Sequence, residues 1–373
     1  MSGWLNAIRI LFKSVVGTAH VFVILLFIAS AFSDRISPEK SVLFSYLGLG
    51  FPVFCVLNLC FLVYWLFLRE WRFLLVGLCS FLICKAAVSR YFPFHDRVEE
   101  IPKENVLKVL TYNVMGFGYK GHTAESPNPI LRYIADSDAD IVCLQEYAVG
   151  NSKDFLTNQK IAKALKMYKY RSVFQVGSSG AIRFHIAVFS KYPISKSRKI
   201  KYESAFNGSS IHELNIRGKK LTLINNHLES FKLTMEDRSH YSAFIKNLNS
   251  ETLGGLKTSI EQKLGPAFRI RARQAQAVAE EIAKIDSDYI LVCGDFNDTP
   301  VSYAHRTIQG KLKDAYAASG RGVGITYNEN FFWFRIDNIL HSANMKPINC
   351  TVDKVRYSDH YPLWCYFRLD FDH

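Results

Sequence analysis

The chain lacks paired cysteines. Its eight Cys residues (55, 60, 79, 84, 143, 293, 350 and 365) fall in no Cys-x-x-Cys spacing. That argues against a zinc ribbon or finger and against the disulfide framework of a small secreted domain, and leaves free thiols as the expectation. No internal repeat or low-complexity tract is present apart from apolar stretches, which removes solenoid and disordered architectures. No dedicated nucleic-acid module is evident. No residue has the setting of an activated covalent nucleophile. Acids are scarcer than bases, 33 Asp and Glu against 46 Lys and Arg, for a formal charge of +13.

Charge is missing altogether from Ser41 to Leu68, and the run from Ser14 to Phe32 is broken only by small polar residues and His20. Phe73 to Val88 is similar, with Lys85 near its end, where it can snorkel to an interface. A membrane span needs roughly 20 apolar residues, with about 17 tolerated. Residues 1–90 are therefore expected to be an anchor of three transmembrane helices. A cleaved signal peptide is the alternative for the first segment, and the two apolar segments that follow argue against it. Residues 91–105, YFPFHDRVEEIPKEN, shift to proline and charge and read as a linker. Arg9 and Lys13 precede the first span, Arg69 and Arg72 lie between the second and third, and Arg35 and Lys40 lie between the first two. That balance predicts a cytoplasmic N-terminus and a catalytic domain on the extracytoplasmic side, although Lys85, Arg90 and Arg97 pull the other way. Up to residue 100, nine bases against six acids give +3, leaving +10 for the remainder. A basic domain beside a bilayer suits anionic partners, phospholipid headgroups or nucleic acid, and charge does not choose between them.

From residue 106 onward the pattern is globular. The short apolar runs VLKVLTYN, DIVCLQE, LTLINNHL, YILVCGDFN, FRIDNIL and SDHYPLWCYF read as buried strands. Each brings a polar group to its end or just beyond: Asn113, Glu146, His227, Asp295 with Asn297, Asp337, and Asp359 with His360. A strand interior offers such groups no water, so they belong at its mouth, and one polar site over a sheet edge accounts for them all. Acids, amides and imidazoles gathered from scattered positions suit a hard divalent cation and phosphate chemistry. Helical stretches lie between these runs, clearest at Ala267 to Ile285, so mixed α and β structure is expected.

The order and wording of these segments resemble the endonuclease/exonuclease/phosphatase superfamily from about Val106 to the C-terminus, in the manner of bacterial membrane-anchored members. The resemblance implies a four-layered α/β sandwich, two facing sheets flanked by helices, over residues 106–373. It implies Mg²⁺ or Mn²⁺ held by Glu146 with Asn113, Asp359 and Asp295. It makes His360, oriented by Asp337, the acid or base at the phosphate, with His227, Asp295 and Asn297 also catalytic. Asn113, Asn226 and Arg335 are the expected substrate contacts. In nuclease-like members the His at position 227 is supported by a Glu on a nearby strand. The matching stretch here, GAIRFHIAVFSKYPI, has no carboxylate, so His227 has no identified partner, and His185 within it reads as structural.

The implied activity is hydrolysis of a phosphoester by water. A lipid headgroup or small molecule is favoured as substrate, because three spans are a costly anchor for an enzyme whose substrate diffuses freely. A nuclease is the rival, and an inactive membrane scaffold the more distant one. Residues 231–264, carrying Phe231, Leu233, Met235, Tyr241, Phe244 and Ile245 among charged groups, are expected to form an insertion after the His227 strand. It serves either as an interfacial lid or as a helix packed on the sandwich.

Overall fold

The computed structural model describes all residues except 1, 103, 124, 151–154, 232–259, 330–331 and 371–373. Five helices come first: α1 (Ser2–Ala31), α2 (Leu43–Leu49), α3 (Phe51–Phe67), α4 (Trp71–Ile83) and α5 (Lys85–Tyr91). By length and composition α1 alone can cross a membrane. The pairs α2/α3 and α4/α5 qualify only if each is one span bent by 59° and 69° respectively. Gly50 marks the first bend and Cys84 the second. Inside this bundle, Trp65 Nε1 donates to His20 Nδ1 at 2.9 Å, which leaves His20 Nε2 as the donor to Asn58 Oδ1 at 3.0 Å. Asn58 in turn donates to Ser80 Oγ at 2.8 Å. The buried His20 is thus fully partnered, and the chain of bonds ties α1, α3 and α4 together.

The remainder is a sandwich. One sheet has the order β13-β14-β1-β2-β4-β3, built from β1 (Val106–Asn113), β2 (Ile141–Val149), β3 (Tyr170–Ser179), β4 (Ile182–Ser190), β13 (Met345–Val352) and β14 (Leu363–Leu369). The other has the order β5-β6-β7-β8-β12-β9, from β5 (Ile194–Ile200), β6 (Gly208–Ile216), β7 (Lys219–His227), β8 (Tyr289–Asp295), β9 (Lys313–Asp314) and β12 (Asp337–His341). A small hairpin, β10 (Tyr327–Glu329) and β11 (Phe332–Phe334), stands apart. Both sheets are mixed: β1/β2 and β7/β8 are parallel, while β1/β14 and β8/β12 are antiparallel.

Apolar alternation on the two inner faces joins Val109, Cys143, Leu223, Leu291, Ile339 and Cys365 in one core between the sheets. The outer face of the first sheet is covered by α6 (Pro129–Asp136) and α7 (Asn158–Ala164), with Ile130, Ile134 and Ile161 buried. The outer face of the second carries α8 (Gly265–Ile282) and α9 (Tyr303–Gln309), with Ala275, Val278, Ala304 and Ile308 buried. The result is the four-layered architecture that the family resemblance implies, where strand patterning alone gave only mixed α and β. Local signals start these helices: Asn128 accepts from the amides of Ile130 and Leu131 with Pro129 at the first turn, and Ser302 accepts from that of His305. All eight cysteines are free, as their spacing predicts.

Residues 92–98 do not hang free between the two parts. His95 N bonds Gly320 O at 3.3 Å, Gly322 N bonds Pro93 O at 2.8 Å, and Val98 and Asn349 bond each other through Oδ1 and Nδ2. Tyr46 meets Phe268 of α8 edge-on at 5.6 Å. The globular part is strapped to the helices rather than loosely tethered.

Candidate active site

The ends of β1, β2, β7, β8 and β12 meet at one pole of the sandwich. The side-chain amide of Asn113, at the end of β1, donates to Glu146 Oε1 at 3.0 Å and to Asp295 Oδ2 at 3.1 Å, so one nitrogen bridges both sheets. His227 Nε2 lies 3.6 Å from Glu146 Oε1 and 3.9 Å from Asp295 Oδ2. His360 donates through Nδ1 to Asp337 Oδ2 at 2.8 Å, and its Nε2 is 3.7 Å from Asp295 Oδ2. Asp337 and Asp295 are direct cross-strand partners. Asp359 is placed by Ser358, whose hydroxyl reaches Asp359 Oδ1 at 3.2 Å and the Asn113 carbonyl at 2.8 Å.

Backbone strain marks two of these positions. Glu146 has φ of 50°, at a register shift between Leu144 and Tyr147 that turns it out of the β2/β4 ladder. Asn297, also at φ 50°, closes a tight turn in which its amide donates to Asp295 Oδ1 at 2.8 Å. Gly294, at φ 128°, sits against Asn226; a Cβ there would lie 2.0 Å from the Asn226 carbonyl oxygen. Gly294→Ala is therefore expected to lower the thermal midpoint of the full chain by several degrees, corresponding to about 2 kcal/mol or more. Circular dichroism melts check this, and an unchanged midpoint contradicts the packing described.

The electrostatics are those of crowded anions. Burial, with help from Asp359, raises the Glu146 carboxyl, and burial raises Asp295 to about 6. Burial depresses His360, but the carboxylates of Asp337 and Asp295 outweigh it and hold the imidazolium well above its usual range. His227 is pushed down by burial and is neutral at pH 7, with both ring nitrogens buried and without hydrogen bonds. Among the described residues, no Lys or Arg lies within salt-bridge distance of Glu146, Asp295 or Asp337.

Asp295, Asp337 and His360 offer ligand atoms within 4.8 Å of one another. Because Asp337 already holds His360, the oxygens better suited to a hard cation are those of Glu146 and Asp295, with Asp359 beside them. The donor set fits a divalent ion: oxygen-rich, short of compensating cations and fringed by unpaired imidazole nitrogens. Asp295 and His360 both bind protons more tightly folded than unfolded, so metal-free protein gains stability as pH falls through their folded values, for Asp295 from about 6 toward 3.8. Metal competes with those protons. Mn²⁺ should thus raise the melting midpoint more at pH 8 than at pH 5; equal shifts at both values would contradict a site built on these carboxylates.

The expected residues differ in what they do here. Asn113, Glu146, His227, Asp295, Asp337 and His360 are joined by the contacts above, and Asp359 adjoins them. Asn297 flanks Asp295, but its side-chain amide is committed to the Leu228 carbonyl at 2.9 Å. Asn226 is buried with both side-chain atoms unpartnered, and strand alternation puts it on the face opposite His227. Arg335 is elsewhere. Its Nη1 lies 3.0 Å from Asp314 Oδ2 and its Nη2 donates to the Arg90 carbonyl at 2.6 Å, and the whole side chain is buried away from any substrate. His185 bonds the Tyr147 carbonyl at 3.2 Å, in keeping with a structural role.

Several supports were invisible in the motifs. Gln145 Nε2 donates to Thr111 at 3.1 Å and to Asn225 at 2.7 Å, forming a polar floor between the sheets. Thr326 Oγ1 accepts from the amides of Ile336 and Asp337, and the Tyr327 ring lies 5.1 Å from that of His360. Arg271 pairs with Asp298 at 2.9 Å and stacks over Phe231 at 4.5 Å. Of the sequence 231–264, residues 232–259 lie outside the described residues.

Residues 110–360 match the model of the Endonuclease/Exonuclease/phosphatase family, and the chain belongs to that family. Its members are phosphoester hydrolases, among them metal-dependent phosphodiesterases and nucleases. Residues 13–91 match a model described as a domain of unknown function. No curated protein matches the chain. Similar solved structures include a humanized Danio rerio TDP2, at 18% identity and TM-score 0.48 over 71% of this chain and 99% of that one. An endonuclease/exonuclease/phosphatase from Beutenbergia cavernae is 15% identical, TM-score 0.49, over 71% and 72% of the two chains. The human Nocturnin catalytic domain is 16% identical, TM-score 0.48, over 72% and 96%.

Proposed function

We propose that this protein is a membrane-anchored, divalent-metal-dependent phosphohydrolase that cleaves a phosphoester by direct attack of water. The convergence of Glu146, Asp295, His227 and the Asp337–His360 pair around one Asn113 amide is the observation that carries it. Glu146, with Asp295, Asp359 and the Asn113 amide, would hold Mg²⁺ or Mn²⁺. Bound there, the ion supplies Lewis-acid neutralisation of charge on the phosphoryl oxygens.

The chain's own groups divide the remaining work. Asp295, whose carboxyl is raised toward neutrality, is suited to take a proton from the attacking water. His360, held cationic by Asp337, is suited to give one to the leaving oxygen. His227, neutral and with its N–H uncommitted, is the donor for the developing oxyanion, while the Asn113 amide, spent on Glu146 and Asp295, sets their spacing. Asn297 shapes the Asp295 turn, and Asn226 is a substrate contact only if substrate reaches the strand face opposite His227. No covalent enzyme intermediate is needed: the Ser358 hydroxyl beside Asp359 is committed to the Asn113 carbonyl, and Thr326 Oγ1 holds the Asp337 amide.

The anchor favours a substrate presented at the bilayer, a lipid headgroup or related phosphoester, over bulk nucleic acid. In support, the start of α8 and the loop after Asp295 are among the parts of the sandwich that touch the helices. Charge bias puts the domain outside the cytoplasm of a bacterial inner membrane, with α1, α2/α3 and α4/α5 as the three spans. An alkaline phosphatase fused after Leu369 should be active and a fluorescent protein at the same point dark; the reverse pattern would refute the orientation. With Mn²⁺, the full chain should turn over phospholipid in vesicles faster than it nicks plasmid DNA. Rapid nicking without lipid turnover would make it a nuclease instead.

A further inference from the structure

Arg90, at the end of the helical anchor, touches the loop that leaves β8 and the residues that lead into β12. From α5 its Nη1 donates to the Pro300 carbonyl at 3.0 Å and pairs with Asp34 Oδ2 at 3.1 Å. Pro300 lies in the loop that leaves Asp295 and Asn297. The next carbonyl, Val301, accepts from Ser33 Oγ at 3.2 Å, and the Val301 side chain is buried among Phe27, Phe51 and Tyr91 of the anchor. On the other side, the Arg90 carbonyl accepts from Arg335, two residues before Asp337. Asp34, almost fully buried, is shared with Arg306 of α9 at 3.5 Å. The end of α5 is thus wedged between the loop following β8 and the start of β12, whose terminal residues are Asp295 and Asp337.

Catalytic carboxylates must be held to within about 0.5 Å of their working geometry, and a displacement of about 1 Å can cost on the order of 10²-fold in rate. Here that hold comes partly from the anchor. A buried Asp34 between two guanidiniums also resists separation, because losing one partner leaves a charge without water.

We propose that Arg90 is a positioning residue, through which the membrane anchor fixes the Asp295 turn and the Asp337 strand in catalytic register. The proposal rests on the phosphohydrolase assignment above. The anchor is then part of the working enzyme as well as its attachment to the bilayer.

The test uses the full chain in detergent with Mn²⁺ and bis(p-nitrophenyl) phosphate. Wild-type turnover is measured first; its absence would remove the phosphohydrolase assignment and this proposal with it. Given turnover, Arg90→Ala should lower kcat by about 10- to 100-fold while KM stays within about 2-fold, because positioning fails without loss of binding. Amide exchange should rise at 298–302 and 334–338 and nowhere in β1 or β2. Arg90→Lys should recover part of the kcat by keeping the charge opposite Asp34. Glu70→Gln, which breaks an ion pair with Lys13 within the anchor, should change neither kcat nor exchange at those loops. Wild-type kcat in Arg90→Ala, or a fall in kcat with exchange raised throughout the sandwich, would overturn the proposal. If Arg90→Ala does not fold, Arg90→Lys decides by the same kcat and exchange criteria.

Discussion

His360→Ala is expected to lower kcat by about 10³-fold with little change in KM, within the range of ~10²–10⁴ for loss of a general acid or base. The side chain is buried, locked through Nδ1 to Asp337 at 2.8 Å and directed through Nε2 toward Asp295. No neighbouring group can replace it: His227 is neutral and lacks a carboxylate in hydrogen-bonding contact. Asp337→Asn should cost less, about 10²-fold, because the imidazole remains but loses the charge that keeps it protonated. Steady-state kinetics on the purified full chain decide. A His360→Ala enzyme within about 3-fold of wild type would remove His360 from the mechanism.

Glu146→Ala is expected to have the second large effect, on the metal as well as the rate. Glu146 stands at a strained φ of 50° and shares the Asn113 amide with Asp295, so its carboxylate is aimed into the site at conformational cost. Its loss should abolish the Mn²⁺-induced rise in melting midpoint at pH 8 and reduce turnover by about 10³-fold, partly restored by high metal concentration. Retention of the wild-type thermal shift would place the ion elsewhere. In the apo protein the same change should be neutral or stabilising, since it relieves crowding among buried carboxylates.

Most of the site was legible because its chemistry sits where strands end, and short apolar runs reveal those ends. Asn113, Glu146, His227, Asp295, Asp337 and His360 could be placed together from wording alone. What could not be read depends on partners distant in sequence. Arg335 adjoins Asp337 and looked like a substrate contact, yet Asp314 and the Arg90 carbonyl claim it; nothing near residue 335 announces either. The polar floor of Thr111, Gln145 and Asn225 hid inside runs that scored simply as strands. Residues 91–105 had the composition of a tether, and their bonds to Gly320, Gly322 and Asn349 come from backbone groups and one amide that composition does not report. Of the bends in the apolar segments, the one at Gly50 carries a signal, Gly50 with Pro52, whereas the one at Cys84 has no glycine or proline beside it. Length and hydropathy count residues able to cross a bilayer and do not register the 59° and 69° breaks at Gly50 and Cys84.

The most direct measurement is hydrolysis of bis(p-nitrophenyl) phosphate by the full chain in ¹⁸O-labelled water, with Mn²⁺ and again after chelation. Metal-dependent release of p-nitrophenol, with label appearing in the phosphate product and silenced by His360→Ala, is the predicted result. Turnover that survives chelation, or label found in p-nitrophenol instead of phosphate, would contradict a metal-dependent attack of water on phosphorus.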